Sequence, residues 1–442
     1  MNNIKAFVVV GTQFGDEGKG AAVDFLSSLF PNKRKLVVRF NGGSQAAHSV
    51  LTDNTKHIFN SFGSGTLQGV PTYWDRQCVL NPYCLYNETD RLNKLGLGLK
   101  PKLHIHEHCL VSTIYHQIFN DYRERKRGGL KHGTCGHGIG ETRSYYLKYG
   151  QDAIFYQDCF LSPQILENKL YLLRERLLEE SNNEKELCEE LYTVDVATAK
   201  YVLERIVYEH KLDCNYTNPI KDHDIVIFEG AQGILLDQNY GFHPHTTWTD
   251  TTPRRALELC REWGIQDVKI LGLTRTNTTR HGNGPLPTYN KELTDKYPDK
   301  TNTTNEYQGD FRIGDLDLSM LEYSNEIIQR SCGRGLDGLV VSHLDQNEDG
   351  LYKTKTLDKI EYKRCFGREL KYQGCLLRQE NLTYDLSLLH DNTRYNYHYR
   401  LEFNKNYLYD RLESIFKCPI VIESDGPTRG HRKITKEGKE AL

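Results

Sequence analysis

The chain has 442 residues, of which 38% are apolar and 26% charged, and its net charge is −2 with histidine neutral. These are the fractions of an ordinary globular protein long enough for a large core, and the balanced charge leaves no electrostatic footprint for nucleic acid or an anionic membrane. No run approaches the roughly 18 apolar residues of a membrane span, the start MNNIKAFVVV carries no leader pattern, and the 12 cysteines are scattered singly, so the expectation is a cytoplasmic protein with reduced thiols.

In chain order, the first element is the apolar run AFVVVG (Ala6–Gly11), followed by the loop GTQFGDEGKG (Gly11–Gly20) and the apolar stretch AAVDFLSSLF. KLVVRF (Lys35–Phe40) is a second apolar run. HIHEH (His104–His108) places three histidines at period two on an expected strand, a spacing that can hold zinc, though nothing in the sequence suggests a further ligand. RERKRGGLKHG (Arg123–Gly133) is a basic run that reads as a solvated loop. Two helices follow: SPQILENKLYLLRERLLEE, opened by a Ser-Pro start signal, and ATAKYVLERIVYEHK, with apolar residues three and four apart. DIVIFEG (Asp224–Gly230), VKILGLTRT (Val268–Thr276), GLVVSHLD (Gly338–Asp345) and PIVIESDG (Pro419–Gly426) are further apolar runs, with the helical pattern DLSMLEYSNEIIQRS between the second and third. Continuous rather than alternating apolar strands suit a parallel sheet covered on both faces. The predicted fold is therefore α/β, a largely parallel central sheet with helices on both faces. A single domain spans 1–442, with a peripheral β-rich insertion at about 361–409.

A glycine-rich turn between strand and helix points backbone N–H groups at the helix N-terminus, where the dipole favours an anion, and Lys19 can add a point charge. Gly20 stands where a P-loop needs Ser or Thr for its metal, so the match is incomplete. Asp16 and Glu17 would repel phosphates unless one of them binds a metal or handles a proton, so the loop reads as catalytic as well as phosphate-binding.

The segments VVRFNGGSQAAHSV, KHGTCGHGIGETR, VIFEGAQGILLDQNYGFHPHTT, TRTNTTRHGNGPLPT, VVSHLD and IESDGPTRG follow the loop in this order. Together with it they resemble the adenylosuccinate synthetase family over nearly the whole chain, from about Lys5 to about Arg429. The resemblance implies a P-loop-like GTP-binding ligase fold and a GTP- and Mg2+-dependent reaction. In it, the 6-oxo group of IMP is phosphorylated and then displaced by the amine of aspartate. By position, Asp16 matches the family's base and magnesium ligand, Ala47 the residue whose carbonyl binds the same ion, and His48 the acid near the transferred phosphate. Gln232 matches a glutamine on the purine. Gly15, Glu17, Gly18, Lys19, Gly20 and Ser49 fall on the phosphate side of GTP, and Asp345, Ser424, Gly426 and Pro427 on its guanine. Gln45, Thr134, Cys135, Lys148 and Thr247 fall on the acceptor nucleotide, and Thr303, Thr304 and Arg312 on the amine-donor loop. A homodimer is implied, completing the acceptor site across its interface.

The departures from the family pattern concern substrate. His343 replaces a lysine beside the guanine, while Asp345 keeps the acceptor that a guanine N1 and N2 require. Gln45 replaces asparagine, Cys135 a threonine hydroxyl, and His137 an arginine; Lys148, near the place of an arginine that crosses the dimer, could act only as a point charge. The amine-donor loop NTTNEYQGDFRIGDLD keeps Arg312 of an arginine run and adds Glu306 and Asp310, a weak trap for a dicarboxylate. Two alternatives therefore stand beside IMP and aspartate. One is a relative with another amine donor or acceptor, such as the viral branch that converts dGMP to 2-aminoadenylosuccinate, although that branch carries Ser where Asp16 stands here. The other is a non-catalytic nucleotide-binding paralogue, which would have no need of Asp16 and His48 together.

Overall fold

A computed structural model of the chain describes residues 4–128, 133–209, 219–243, 245–299, 309–347, 350–357 and 397–442. Its centre is a nine-stranded sheet. In chain order the strands are β1 (Lys5–Gly11), β2 (Lys35–Arg39), β3 (Thr72–Trp74), β4 (Leu103–Ile105), β5 (Ile225–Gly233), β6 (Asp267–Arg275), β7 (Gly338–Ser342), β8 (Ile420–Ser424) and β9 (Arg432–Ile434). They lie in the order β9-β8-β7-β6-β1-β5-β2-β3-β4, and every neighbouring pair is parallel except β8 with β9. All six apolar runs of the sequence are strands of this sheet.

Burial on both faces explains the continuous apolar pattern. On β1, Ala6, Val8 and Val10 join one apolar cluster with Leu259, Leu321 and Ile328. Phe7 and Val9 point the other way, onto Val23 and Leu26 of α1 (Lys19–Ser28). Two further helices carry site residues, α2 (Ile114–Arg127) and α3 (Ile139–Tyr149), and α4 (Leu318–Cys332) covers the first face. The predicted helical stretches form Pro163–Glu180, Val196–Glu209 and α4, the last capped by Asp317, whose side chain accepts from Met320 N at 3.1 Å. A third apolar cluster joins Trp74, Leu103 and Ile105 at the β3–β4 side to the helices between 82 and 207.

Two local expectations change, and a third lies mostly outside the described residues. The strand in HIHEH ends at Ile105, so His106 and His108 fall in the following turn and do not share a face with His104. The basic run is helical through Arg127, because it continues the amphipathic face of α2. Of the expected insertion at 361–409, residues 361–396 lie outside the described ones; Tyr397–Phe403 pairs antiparallel with Tyr352–Leu357, and a helix begins at Lys405. The nine cysteines among the described residues are free thiols, and no helix there is long and apolar enough to cross a membrane.

Candidate active site

In a parallel sheet the loops leaving the carboxyl ends of neighbouring strands converge. Here the loops after β1, β5 and β2 meet around a cavity of about 510 Å3, closed by α2, α3 and the turn at 280–283. Its wall includes Gly15, Asp16, Gln45, Ala47, His48, Thr134, Cys135, Gln232 and Thr247. Residues from five separate motifs, more than 200 positions apart at the extremes, thus share one chamber.

The loop after β1 is shaped by its own carboxylate. Glu17 is fully buried and accepts from Gln13 N at 2.8 Å and Gly15 N at 2.9 Å. Lys19 folds back onto Glu17 Oε2 and the Gly15 carbonyl, both at 2.8 Å. Two glycines have steric reasons: Gly15 has φ +107°, with Gln232 Cα 3.1 Å from where a Cβ would lie, and a Cβ on Gly20 would fall 2.8 Å from His48 Cβ. Gly18 caps α1 in the left-handed region, where it has no side chain to make a capping hydrogen bond. The expectation that Glu17 contacts GTP is therefore revised for its side chain, which braces the loop.

Asp16 is half-buried, and desolvation raises its pKa to about 6 against the opposing pull of Arg275. Arg275, buried at the end of β6, donates to the Asp16 carbonyl at 3.0 Å, to Asn277 Oδ1 at 2.9 Å and to Gln346 Oε1 at 3.1 Å. A carboxyl poised near neutrality, on the wall of a cavity and with its backbone held, suits proton abstraction.

His48 also lines the cavity, with Nδ1 2.6 Å from Glu229 Oε1. Glu229, midway along β5, also accepts from Ser64 N at 3.1 Å and from the Ser64 hydroxyl. It is fully buried, yet His48, Arg39 and Ser64 hold its pKa down at about 2. An ionised carboxylate at this distance keeps the proton on Nδ1 and leaves Nε2 as the working nitrogen. Burial outweighs Glu229 and keeps the His48 imidazole below its usual pKa; an anionic phosphate beside it would push that value back up. Gln232, two residues beyond Gly230 on the same strand end, adopts φ 60°. A left-handed conformation for a non-glycine residue at a strand end is a mark of a functional position.

The guanine candidates lie apart from this cavity, on the ends of β7 and β8. Leu344 N donates to the Ser424 carbonyl at 3.1 Å, Ser424 Oγ to the Gly426 carbonyl at 3.0 Å, and Asp345 is exposed beside them. His343 has φ 60°, with Nδ1 2.8 Å from Ser342 Oγ, and burial beside Arg275 and Arg432 holds its pKa well below the usual value. Since β8, β7, β6 and β1 are neighbours in that order, this patch lies in line with the phosphate loop.

Other candidate residues lie outside this cavity or outside the described residues. Ser49 sits on the hairpin strand His48–Leu51 and does not line the cavity. Lys148 is also outside it, paired with Glu180 Oε1 at 2.5 Å. Thr303 and Thr304 lie outside the described residues. Arg312 Nη2 donates to the carbonyls of Gly282 at 2.6 Å and Gly284 at 2.8 Å, so it holds a turn and does not face a ligand with that nitrogen. The basic run splits: Arg123 and Arg127 line the cavity, Arg123 with Glu141 Oε2 at 3.0 Å, while Arg125 and Lys126 face Glu184, Glu186 and Glu190. Glu229 and Arg275, which the sequence reading missed, had a signal: Glu229 directly follows the apolar run IVIF, and Arg275 closes the strand Asp267–Arg275.

The sequence profile of the adenylosuccinate synthetase family matches residues 8–432. This chain belongs to that family. The adenylosuccinate synthetase of Desulfatibacillum aliphaticivorans is 31% identical over 97% of this chain and 98% of its own length. That of Bordetella avium is 30% identical over 96% and 97%. Among solved structures, the fully ligated adenylosuccinate synthetase of Plasmodium falciparum covers 98% of this chain and 100% of its own at 22% identity and a TM-score of 0.71. The succinoaminodeoxyadenylate synthetase of cyanophage S-2L, bound to dGMP and to dATP as energy donor, covers 99% of both chains at 15% identity and a TM-score of 0.57. Both structural likenesses establish the shared fold. As a member of the adenylosuccinate synthetase family, the protein is a GDP-forming carbon–nitrogen ligase of purine biosynthesis.

Proposed function

We propose that the chain makes adenylosuccinate from IMP and aspartate with GTP. The observation that carries this reading is the meeting of Asp16, the His48–Glu229 pair and Gln232 on one cavity wall. Asp16 removes the N1 proton of the hypoxanthine ring, which makes O6 nucleophilic towards the γ-phosphorus of GTP. His48, fixed through Nδ1 by Glu229, donates from Nε2 to the phosphate as charge develops and GDP leaves. Gln232 orients the purine so that the amine reaches C6 as the phosphate departs. Gln45, Thr134, Cys135 and Thr247 line the space for the acceptor nucleotide, and Asp345 with Ser424, Gly426 and Pro427 takes the guanine. An adenine offers Asp345 no N2 amine.

The residues present fit a magnesium ion: the Asp16 carboxylate and the Ala47 carbonyl are hard oxygen donors on the same cavity wall. When bound there, the ion supplies charge neutralisation to the phosphates. Dimerisation through the α3 side, bringing Lys148 towards a second copy's acceptor site, belongs to the same reading.

A second reading keeps the chemistry and changes a substrate. It is favoured by Arg312, whose Nη2 is held by two carbonyls, and by the cyanophage relative that takes dGMP. Mass spectrometry of the nucleotide product from GTP, Mg2+, IMP and aspartate tests the first reading. Adenylosuccinate is expected; GDP release without it, or product only from dGMP or another amine, overturns it in favour of the second.

A further inference from the structure

The segment Thr247–Thr251 is tied to the loop after β5 at alternate residues. Thr247 N donates to the Leu236 carbonyl at 2.8 Å, and Thr251 N to Asp237 Oδ2 at 2.6 Å. Between them Thr249 accepts from Gln238 N at 3.1 Å on its carbonyl and from Gly42 N at 3.0 Å on Oγ1. The residue held between the first two anchors is Trp248, which lines the cavity and is half-buried. Its indole reaches the first turn of α3: a Cβ at Gly140 would lie 3.0 Å from Trp248 Cδ1 and 3.2 Å from Nε1. The ring thus spans two walls of the cavity, fixed before a substrate arrives. The other two tryptophans are engaged within the protein. Trp74 donates from Nε1 to the Ser61 carbonyl at 2.6 Å, and Trp263 stacks on Phe228 at 5.8 Å and meets the edge of Tyr73 at 5.7 Å. Among the described residues Trp248 has neither a ring nor a hydrogen-bond acceptor against its indole. A large amphipathic ring half-open on a substrate cavity is a face that a ligand stabilises by covering it.

The position of the indole says which ligand suits it. Of the three substrates, an amino-acid amine donor such as aspartate has almost no apolar surface to offer, and the guanine candidates lie apart, on the ends of β7 and β8. The acceptor nucleotide remains. Close contacts then sort its two ends. Gln232 lies against Gly15 and His48 against Gly20, so the groups for the reacting edge of the purine gather on the side of the loop after β1. On the α3 side, Ile139 Cγ2 stands 3.3 Å from where a Cβ of Gly43 would lie, one residue before Gly140 and its indole. In a purine, N1 and O6 are at one end of the bicycle and N9, which carries the sugar, is at the other. A base whose N1 and O6 meet Asp16 therefore turns its sugar towards α3 and Trp248.

We infer that Trp248 is a substrate-binding residue of the acceptor site, its indole forming the wall on which the sugar of the purine nucleotide packs. The inference rests on the reading that a purine nucleotide is the acceptor in this cavity, and it needs no choice between IMP and dGMP or between amine donors. The experiment uses the full-length enzyme and two readouts: tryptophan emission on titration with IMP, and KM values for IMP, GTP and the amine donor. In the wild type IMP shifts the emission. In Trp248→Phe, which keeps an apolar ring, the shift is lost while the IMP KM stays near the wild-type value. Trp248→Ala raises the IMP KM by about tenfold, the scale of one aromatic contact, and leaves the other two within about twofold. An emission shift that survives in Trp248→Phe, an unchanged IMP KM in Trp248→Ala, or a rise shared equally by all three substrates overturns the inference. If the wild-type enzyme turns over dGMP and not IMP, the IMP reading falls alone, and the same two readouts are taken with dGMP. If it accepts no purine nucleotide, both fall.

Discussion

The wall around His48 and the turn held by Arg280 and Arg312 put charged side chains to different uses. At His48 a buried imidazole has a buried carboxylate at 2.6 Å, the carboxylate has two donors from Ser64, and Arg39 adds positive charge. Charge there is matched by charge, and the polarity of each group is fixed before a substrate arrives. At the turn, guanidinium groups are matched by backbone carbonyls, which hold it in shape. The first arrangement preserves a reaction, because a misplaced proton would abolish it. The second preserves a loop.

The comparison is most severely tested at the reacting groups. Asp16→Asn should lower phosphoryl transfer on the order of 10³-fold, the scale of a positioned general base, while GTP affinity by equilibrium dialysis stays near wild type; retained turnover would remove Asp16 from the reaction. Glu229→Gln should lower kcat by about 10²-fold, with KM for IMP little changed, because the imidazole loses the carboxylate that fixes its tautomer. An equal loss in Glu229→Gln and a wild-type kcat in His48→Ala would break the pairing.

The buried histidines give a pH prediction with a definite sign. Burial lowers the pKa of His116 to about 3 and of His243 to about 4. In the unfolded chain both would titrate near 6.5, so the unfolded state binds protons that the native state refuses. Stability is full above about pH 6.5 and falls as pH drops towards 4, by roughly 2 kcal/mol for each residue at pH 5. Urea unfolding at pH 7 and pH 5 measures this, and His116→Phe should flatten the slope. The smallest effect belongs to the acceptor wall: Cys135→Thr, which restores a hydroxyl donor, should lower the IMP KM by about fivefold if that wall holds a phosphate.

Much of this architecture was legible in the sequence, for physical reasons. Apolar runs such as VVVG around Val9 and IVIFE around Phe228 read as parallel strands because both faces of the sheet are covered. The strand-loop-helix at 5–28 was legible because glycine spacing and a lysine follow an apolar run. Asp16, His48 and Gln232 could be named because each falls within a short motif that resembles the family pattern. Partnerships were not legible: that Glu229 faces His48 requires β5 beside β2, a pairing of residues 181 positions apart. Nor could spacing show that Glu17 turns inward to bind its own loop, or that Arg123 and Arg127 point to the cavity while Arg125 and Lys126 face Glu184, Glu186 and Glu190. That division follows from where the axis of α2 lies.

The most direct measurement is positional isotope exchange in GTP carrying 18O at the β–γ bridge, incubated with Mg2+, IMP and enzyme without any amine. If Asp16 and the His48–Glu229 pair phosphorylate the purine oxygen reversibly, the label scrambles into the β-nonbridging positions only when IMP is present, and Asp16→Asn stops it. Scrambling without IMP, or none in the wild-type enzyme while its amine-coupled product still forms, would contradict the account.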